Sequence, residues 1–235
     1  MAIALSPYDV VVYNSTPLLN VALQKHQAAG GNGWIHDTFS NLFRQYHVED
    51  VLGLILLHNH FPLEENEYLT EVHGTSTAWK SQTGNTPSCW ALNHDNRTIE
   101  PIEFSLDDDD HSVPYPEWGS ENMQLFLEKL MVTLEKYGVA GIYGLGRYPG
   151  DGYPGRVEMT VGRSNVNLTP KQVCRVEILH TIYTNSNQAA KHAPAVQSEA
   201  AWFFTEDFTK IGCACNCYHH GTGNSTHSHH TTVNA

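Results

Sequence analysis

An α+β fold, a mostly antiparallel sheet built from hairpins with about three helices packed on it, is what three features of the chain predict. Short apolar or alternating runs recur between clusters of turn residues. Helical spacing is confined to a few segments that do not alternate regularly with the strands. Apolar residues make up 40% of the 235, enough for a core, while charged residues make up 16%, too few for disorder driven by charge. No long repeat period is present. Residues 1–220 read as one globular domain and 221–235 as a flexible His-rich tail.

Taken in order, residues 8–13 (Tyr-Asp-Val-Val-Val-Tyr) read as a short strand. Thr16-Pro17 opens a helix through Leu19, Leu23 and Ala28 that stops at Gly30-Gly31. Asp37 caps a second helix, with Phe39, Leu42, Phe43 and Tyr46 at helical spacing. Val51 to Phe61 is apolar on both faces, as in a central strand, and Pro62 to Asn66 turns the chain. Glu67 to Trp79 alternates and reads as its partner. Cys89–Leu92 and Thr98–Leu106 form a second hairpin around Asn93-His94-Asp95-Asn96. Asp107–Asp110, with Pro114 and Pro116 beyond, is a solvated loop that lacks the alternating ligands of a calcium loop.

Ser120 caps a third helix to about Tyr137, with Leu127, Leu130, Met131 and Leu134 as its buried stripe and Gly138 at its end. Val139–Arg147 and Arg156–Val161 are strands joined by the turn-rich stretch 148–155. Val173–Tyr183 is a further strand, 184–198 a loop or weak helix, and Ala201–Cys217 the last strand.

Charge narrows the partners. The formal net charge is −12, and it is not evenly spread. Residues 1–48 and 118–235 each balance, whereas 49–117 set only Lys80 and Arg97 against a long series of Asp and Glu. An acidic field repels phosphate backbones, which argues against a nucleic-acid partner, and it attracts cations. No apolar run is long enough to span a bilayer, and the N-terminus has no basic region before an apolar stretch. The expectation is a cytoplasmic protein with reduced thiols that does not bind membranes; its oligomeric state is open.

The acidic segment also holds His58, His60, His73, His94 and His111. In His58-Asn59-His60, residues two apart on a strand project to one side, ~6.6 Å apart along the chain. Two imidazoles at that reach can grip one ion. A carboxylate from the following turn, Glu64 first and Glu67 second, would complete a two-His-one-carboxylate face with open positions. His73, on the returning segment, is a further ligand or, with Glu67, a catalytic acid/base group. His-x-His, a short gap, Glu and a later His resembles the first metal motif of cupin barrels over His58 to His73. It departs from that motif in its Pro-Leu-Glu-Glu turn and its glycine spacing. Mixed imidazole and carboxylate ligands point to a divalent ion, Fe, Zn or Mn.

Arg147 and Arg156 bracket the Tyr-Pro-Gly loop and suit an anionic small-molecule substrate. The resulting reading is a metal-dependent enzyme, a lyase, hydrolase or oxygenase. Two other readings compete. Cys213, Cys215, Cys217 and His219 would form a separate site for Zn(II) or Cu(I) in a non-enzymatic metal-binding protein, with the terminal histidines binding loosely. The acidic segment would instead dock a basic protein partner. No dinucleotide fingerprint, phosphate loop or nucleophile elbow is present.

Overall fold

A computed structural model describes residues 2–80, 83–106, 113–153, 155–169, 172, 196–204, 209–219 and 225–228. For Met159, 196–198 and everything from 209 onward it describes the backbone alone. The expected strand 173–183, the loop up to residue 195 and the Asp107–Asp110 loop lie outside these residues.

In chain order the strands are β1 (Ala4–Leu5), β2 (Leu52–Leu56), β3 (Tyr68–Val72), β4 (Thr75–Trp79), β5 (Thr86–Asn93) and β6 (Thr98–Ser105). There follow β7 (Tyr143–Arg147), β8 (Val157–Val161), β9 (Ser164–Leu168), β10 (Val196–Phe204), β11 (Thr209–His219) and β12 (Ser225–Ser228). Helices are α1 (Val10–Ser15), α2 (Leu19–Ala28), α3 (Ser40–Gln45), which follows a π turn at Ile35–Phe39, and α4 (Glu121–Lys136).

The strands make a single curled sheet in the order β6-β3-β4-β9-β8-β12-β11-β10-β2-β7-β5, and β5 pairs back onto β6, closing the ring. β1 lies outside that ring on the first residues of β6. The sheet is mixed, because β1 and β3 both run parallel to β6. The expectation of hairpins throughout fails there: β3 pairs in parallel with β6, with β4 and β5 between them in the chain.

Two faces organise the core. Along β2, Leu52, Leu54 and Leu56 join the helices, whereas Ile55 and Leu57 face the ring interior. Along β10, Trp202 and Phe204 face the helices while Ala201 and Phe203 face inward. Alternation with apolar residues on both faces is what a strand buried on both sides requires. The helical layer is sealed by Phe43, whose ring centroid lies 4.8 Å from those of Phe126 and Phe204. α4 supplies its predicted stripe, each fully buried Leu or Phe contributing roughly 2 kcal/mol. Ser120 caps it by accepting from the Met123 amide.

Two glycines of β7 shape the interior wall. A Cβ on Gly144 would stand 2.3 Å from the Trp90 carbonyl oxygen and 2.6 Å from Leu57 Cδ2. A Cβ on Gly146 would stand 2.0 Å from Ile55 Cδ1. The inward side chains of β2 therefore lie flat against bare β7 backbone.

Several elements differ from the sequence reading. Residues 10–15 are helical, because Asp9 caps the turn by accepting from the Val11 amide at 2.9 Å and Tyr13 is buried. The helix expected to start at Thr16 begins at Leu19. Asp37 lies inside the π turn and caps nothing. Glu67–Trp79 is itself a hairpin, β3 to β4, turned at His73 and Gly74, whose φ values are +49° and +76°. Ala201–Cys217 is two antiparallel strands, β10 and β11, and part of the expected flexible tail forms β12. Among the described residues no helix is long and apolar enough to cross a membrane.

Candidate metal centre

β2 ends at Leu56, so the His-x-His segment lies just past the ladder. Contacts from elsewhere hold it. The Asn59 amide donates to the Pro17 carbonyl at 3.1 Å, and its side chain donates to the Thr16 carbonyl at 2.6 Å. The His60 amide donates to the Tyr13 hydroxyl at 3.2 Å. α1 thus has a role at the site: it plants Tyr13 beneath the histidines.

His58 and His60 converge, with ring centroids 4.8 Å apart. His58 Nδ1 lies 2.8 Å from the Leu56 carbonyl oxygen. A carbonyl only accepts, so Nδ1 carries the proton and Nε2 keeps its lone pair. His60 Nε2 lies 3.6 Å from Glu158 Oε2, with the two side chains 3% and 17% exposed. One ligand atom from each of His58, His60 and Glu158 fits within 4.8 Å of the others, a grouping that can hold a metal ion. This is the only such grouping of three among the described residues.

Glu158 comes from β8, where it shares one side with Thr160 and with Arg156 just before the strand, by alternation. Thr160 faces Asn165 and Glu158 faces Asn167 across the β8–β9 hairpin. Burial pushes the Glu158 carboxyl above its usual range, opposed by His58 and Arg156.

The group borders a cavity of about 310 Å³ inside the ring. Arg147, Arg156, Glu71, Glu103, Tyr148 and Tyr153 also line it. Arg147 donates to the Val113 carbonyl at 3.1 Å and lies over the Tyr115 ring. Arg156 is paired with Glu71, which Asn167 also contacts at 3.1 Å, and lies over the Tyr153 ring. Burial and the negative charges of Glu158 and Glu71 push the Glu103 carboxyl up to about 8.

That shift has a stability consequence. A carboxyl with a folded pKa above its unfolded value near 4.5 favours folding most at low pH, and the benefit is lost as pH rises through about 8. Chelator-treated protein is expected to lose stability between pH 5 and 8, and Glu103→Gln to flatten that decline. Urea unfolding at a series of pH values measures it; equal slopes in both proteins would refute the assignment.

The carboxylate that joins the histidines is Glu158, in place of the expected Glu64. Glu64 is 66% exposed and faces Lys80 at 3.6 Å. Glu67 is buried but clasped by Arg163, which holds its carboxyl below the usual range. His73 sits in the β3–β4 turn. Cys213, Cys215, Cys217 and His219 lie on β11, separated from β2 by β10, and their side chains fall outside what the structure describes. Sequence reasoning missed Glu158, Glu103, Thr160 and Asn165. The only signal was the alternating polar face of 156–160, which in an open sheet would meet solvent.

Comparison of the chain with protein-family models, with curated proteins and with solved structures gives no match.

Proposed function

We propose that this chain is a metal-dependent enzyme acting on a small, anionic molecule. The observation that carries the reading is the meeting of His58, His60 and Glu158 at the edge of a cavity. Three protein ligands leave coordination positions open, the pattern of catalytic sites; structural zinc sites use four. The donor set suits Fe(II), Zn(II) or Mn(II). The ion would supply Lewis acidity or an activated water.

The chain's own groups divide the remaining work. The Leu56 carbonyl holds the His58 proton on Nδ1 and leaves the Nε2 lone pair available. Arg147 places positive charge on the cavity wall to orient the substrate's anionic group. Arg156 is paired with Glu71 and balances local charge, a change from the substrate-binding role expected for it. Glu103 holds a proton at neutral pH that can pass to or from a bound molecule.

The test is elemental analysis of protein purified without an affinity tag. About one equivalent of Fe, Zn or Mn per chain is expected, lost in a His58→Ala/His60→Ala variant. Less than about a tenth of an equivalent in the wild type after incubation with each ion would refute the reading.

A further inference from the structure

Two residues of the β8–β9 hairpin complete a closed hydrogen-bond circuit on His60. Thr160 Oγ1 lies 3.2 Å from His60 Nδ1 and 3.4 Å from Asn165 Oδ1. Asn165 Nδ2 lies 3.3 Å from His60 Nε2. One assignment satisfies all three contacts: Nδ1–H donates to Thr160, the Thr160 hydroxyl donates to Asn165 Oδ1, and the Asn165 amide donates to Nε2. The Asn165 amide also hydrogen-bonds the Glu158 carboxylate. Asn165 and Thr160 are buried, at 2% and 4% exposure, and directly paired across the two strands.

The amide therefore lies on His60 Nε2 and on the Glu158 carboxylate, both belonging to groups that would hold a cation. Nε2 has one lone pair, and it cannot serve Asn165 and a metal together. We propose that Asn165 is a placeholder: its amide satisfies His60 and Glu158 in the metal-free protein, releases His60 to an incoming cation, and keeps Glu158 as its acceptor. This inference rests on the metal reading above. Asn165 is a positioning residue here, and Thr160 anchors it. Thr160 also fixes the His60 proton on Nδ1, as the Leu56 carbonyl does for His58.

The proposal has a sign that ordinary bracing of ligands does not. A side chain that only supports bound ligands weakens metal binding about 10- to 100-fold when removed. A placeholder competes with the metal for one hydrogen bond. Asn165→Ala should therefore bind Zn(II) more tightly, by about five-fold, the equivalent of one such bond. The zinc-free variant should melt below zinc-free wild type, while the zinc-loaded pair differ less.

Competition of full-length protein against a chromophoric chelator, with Zn(II) as the probe, gives the affinities. Tighter binding by Asn165→Ala supports the proposal; equal or weaker binding overturns it. A wild type that binds no Zn(II) through His58 and His60 removes the metal reading and this inference together, which separates the two failures. A second measurement needs no variant. In the wild-type chain, NMR coupling across the hydrogen bond from the Asn165 side-chain amide to His60 Nε2 should vanish on zinc loading. Its persistence in the loaded protein would overturn the proposal.

Discussion

His60→Ala should weaken Zn(II) binding by about 100-fold or more, whereas Glu64→Ala should leave it unchanged. Each of the three ligands supplies a donor that water replaces poorly, and among the described residues no other carboxylate is grouped with His58 and His60. Glu158→Ala should resemble His60→Ala, with an added effect. It removes a half-buried negative charge beside Glu71 and Glu103, so the zinc-free variant should be no less stable than wild type while losing its metal. Glu64 lies on the outer turn against Lys80, an exposed pair worth little. Chelator competition on the four proteins reads the result. Loss of affinity in Glu64→Ala with none in Glu158→Ala would overturn the assignment of the third ligand.

Gly144→Ala should cost about 3 kcal/mol of folding stability, read as a lower urea midpoint at unchanged slope. Two neighbours oppose the added methyl. Leu57 Cδ2 can turn away, but the Trp90 carbonyl oxygen at 2.3 Å belongs to the β5 backbone, so two hydrogen-bonded strands must part. Gly146→Ala is the control. Its close neighbours are the tip atoms of Ile55, which can change rotamer, so it should cost less than Gly144→Ala. Equal costs would mean that β7 shifts as a unit. Gly144→Ala should also lower metal affinity, since Leu57 immediately precedes His58.

Much of the layering was legible in the chain. Apolar residues at both parities from Val51 onward identified a strand buried on two sides, and Leu52/Leu54/Leu56 and Ile55/Leu57 occupy those sides. The stripe of α4, its Ser120 cap and the β5–β6 hairpin follow from local chemistry that the structure keeps. His58 and His60 were legible as a pair because only Asn59 separates them. The third ligand was not. Glu158 reaches the pair through the closure of the sheet, which depends on pairings between distant segments that no local period encodes. The same closure reverses the meaning of polarity on β8. A stripe of Arg156, Glu158 and Thr160 reads as a wet face in a flat sheet and becomes the lining of a cavity here. The Val10–Val12 run failed for a local reason: the Asp9 cap and the burial of Tyr13 outweigh β-propensity over so short a segment.

A sheet whose last strand binds its first has no terminal row of unpaired amides to offer. Every member of the circuit, from β6 round to β5, has a neighbour on each flank among the described residues. Recruitment of a foreign peptide by strand addition, or runaway stacking of copies edge to edge, would first have to unzip an existing seam. Among the described residues a strand added to the ring itself would therefore have to displace one already there, while β1, paired to β6 alone, stands outside the ring.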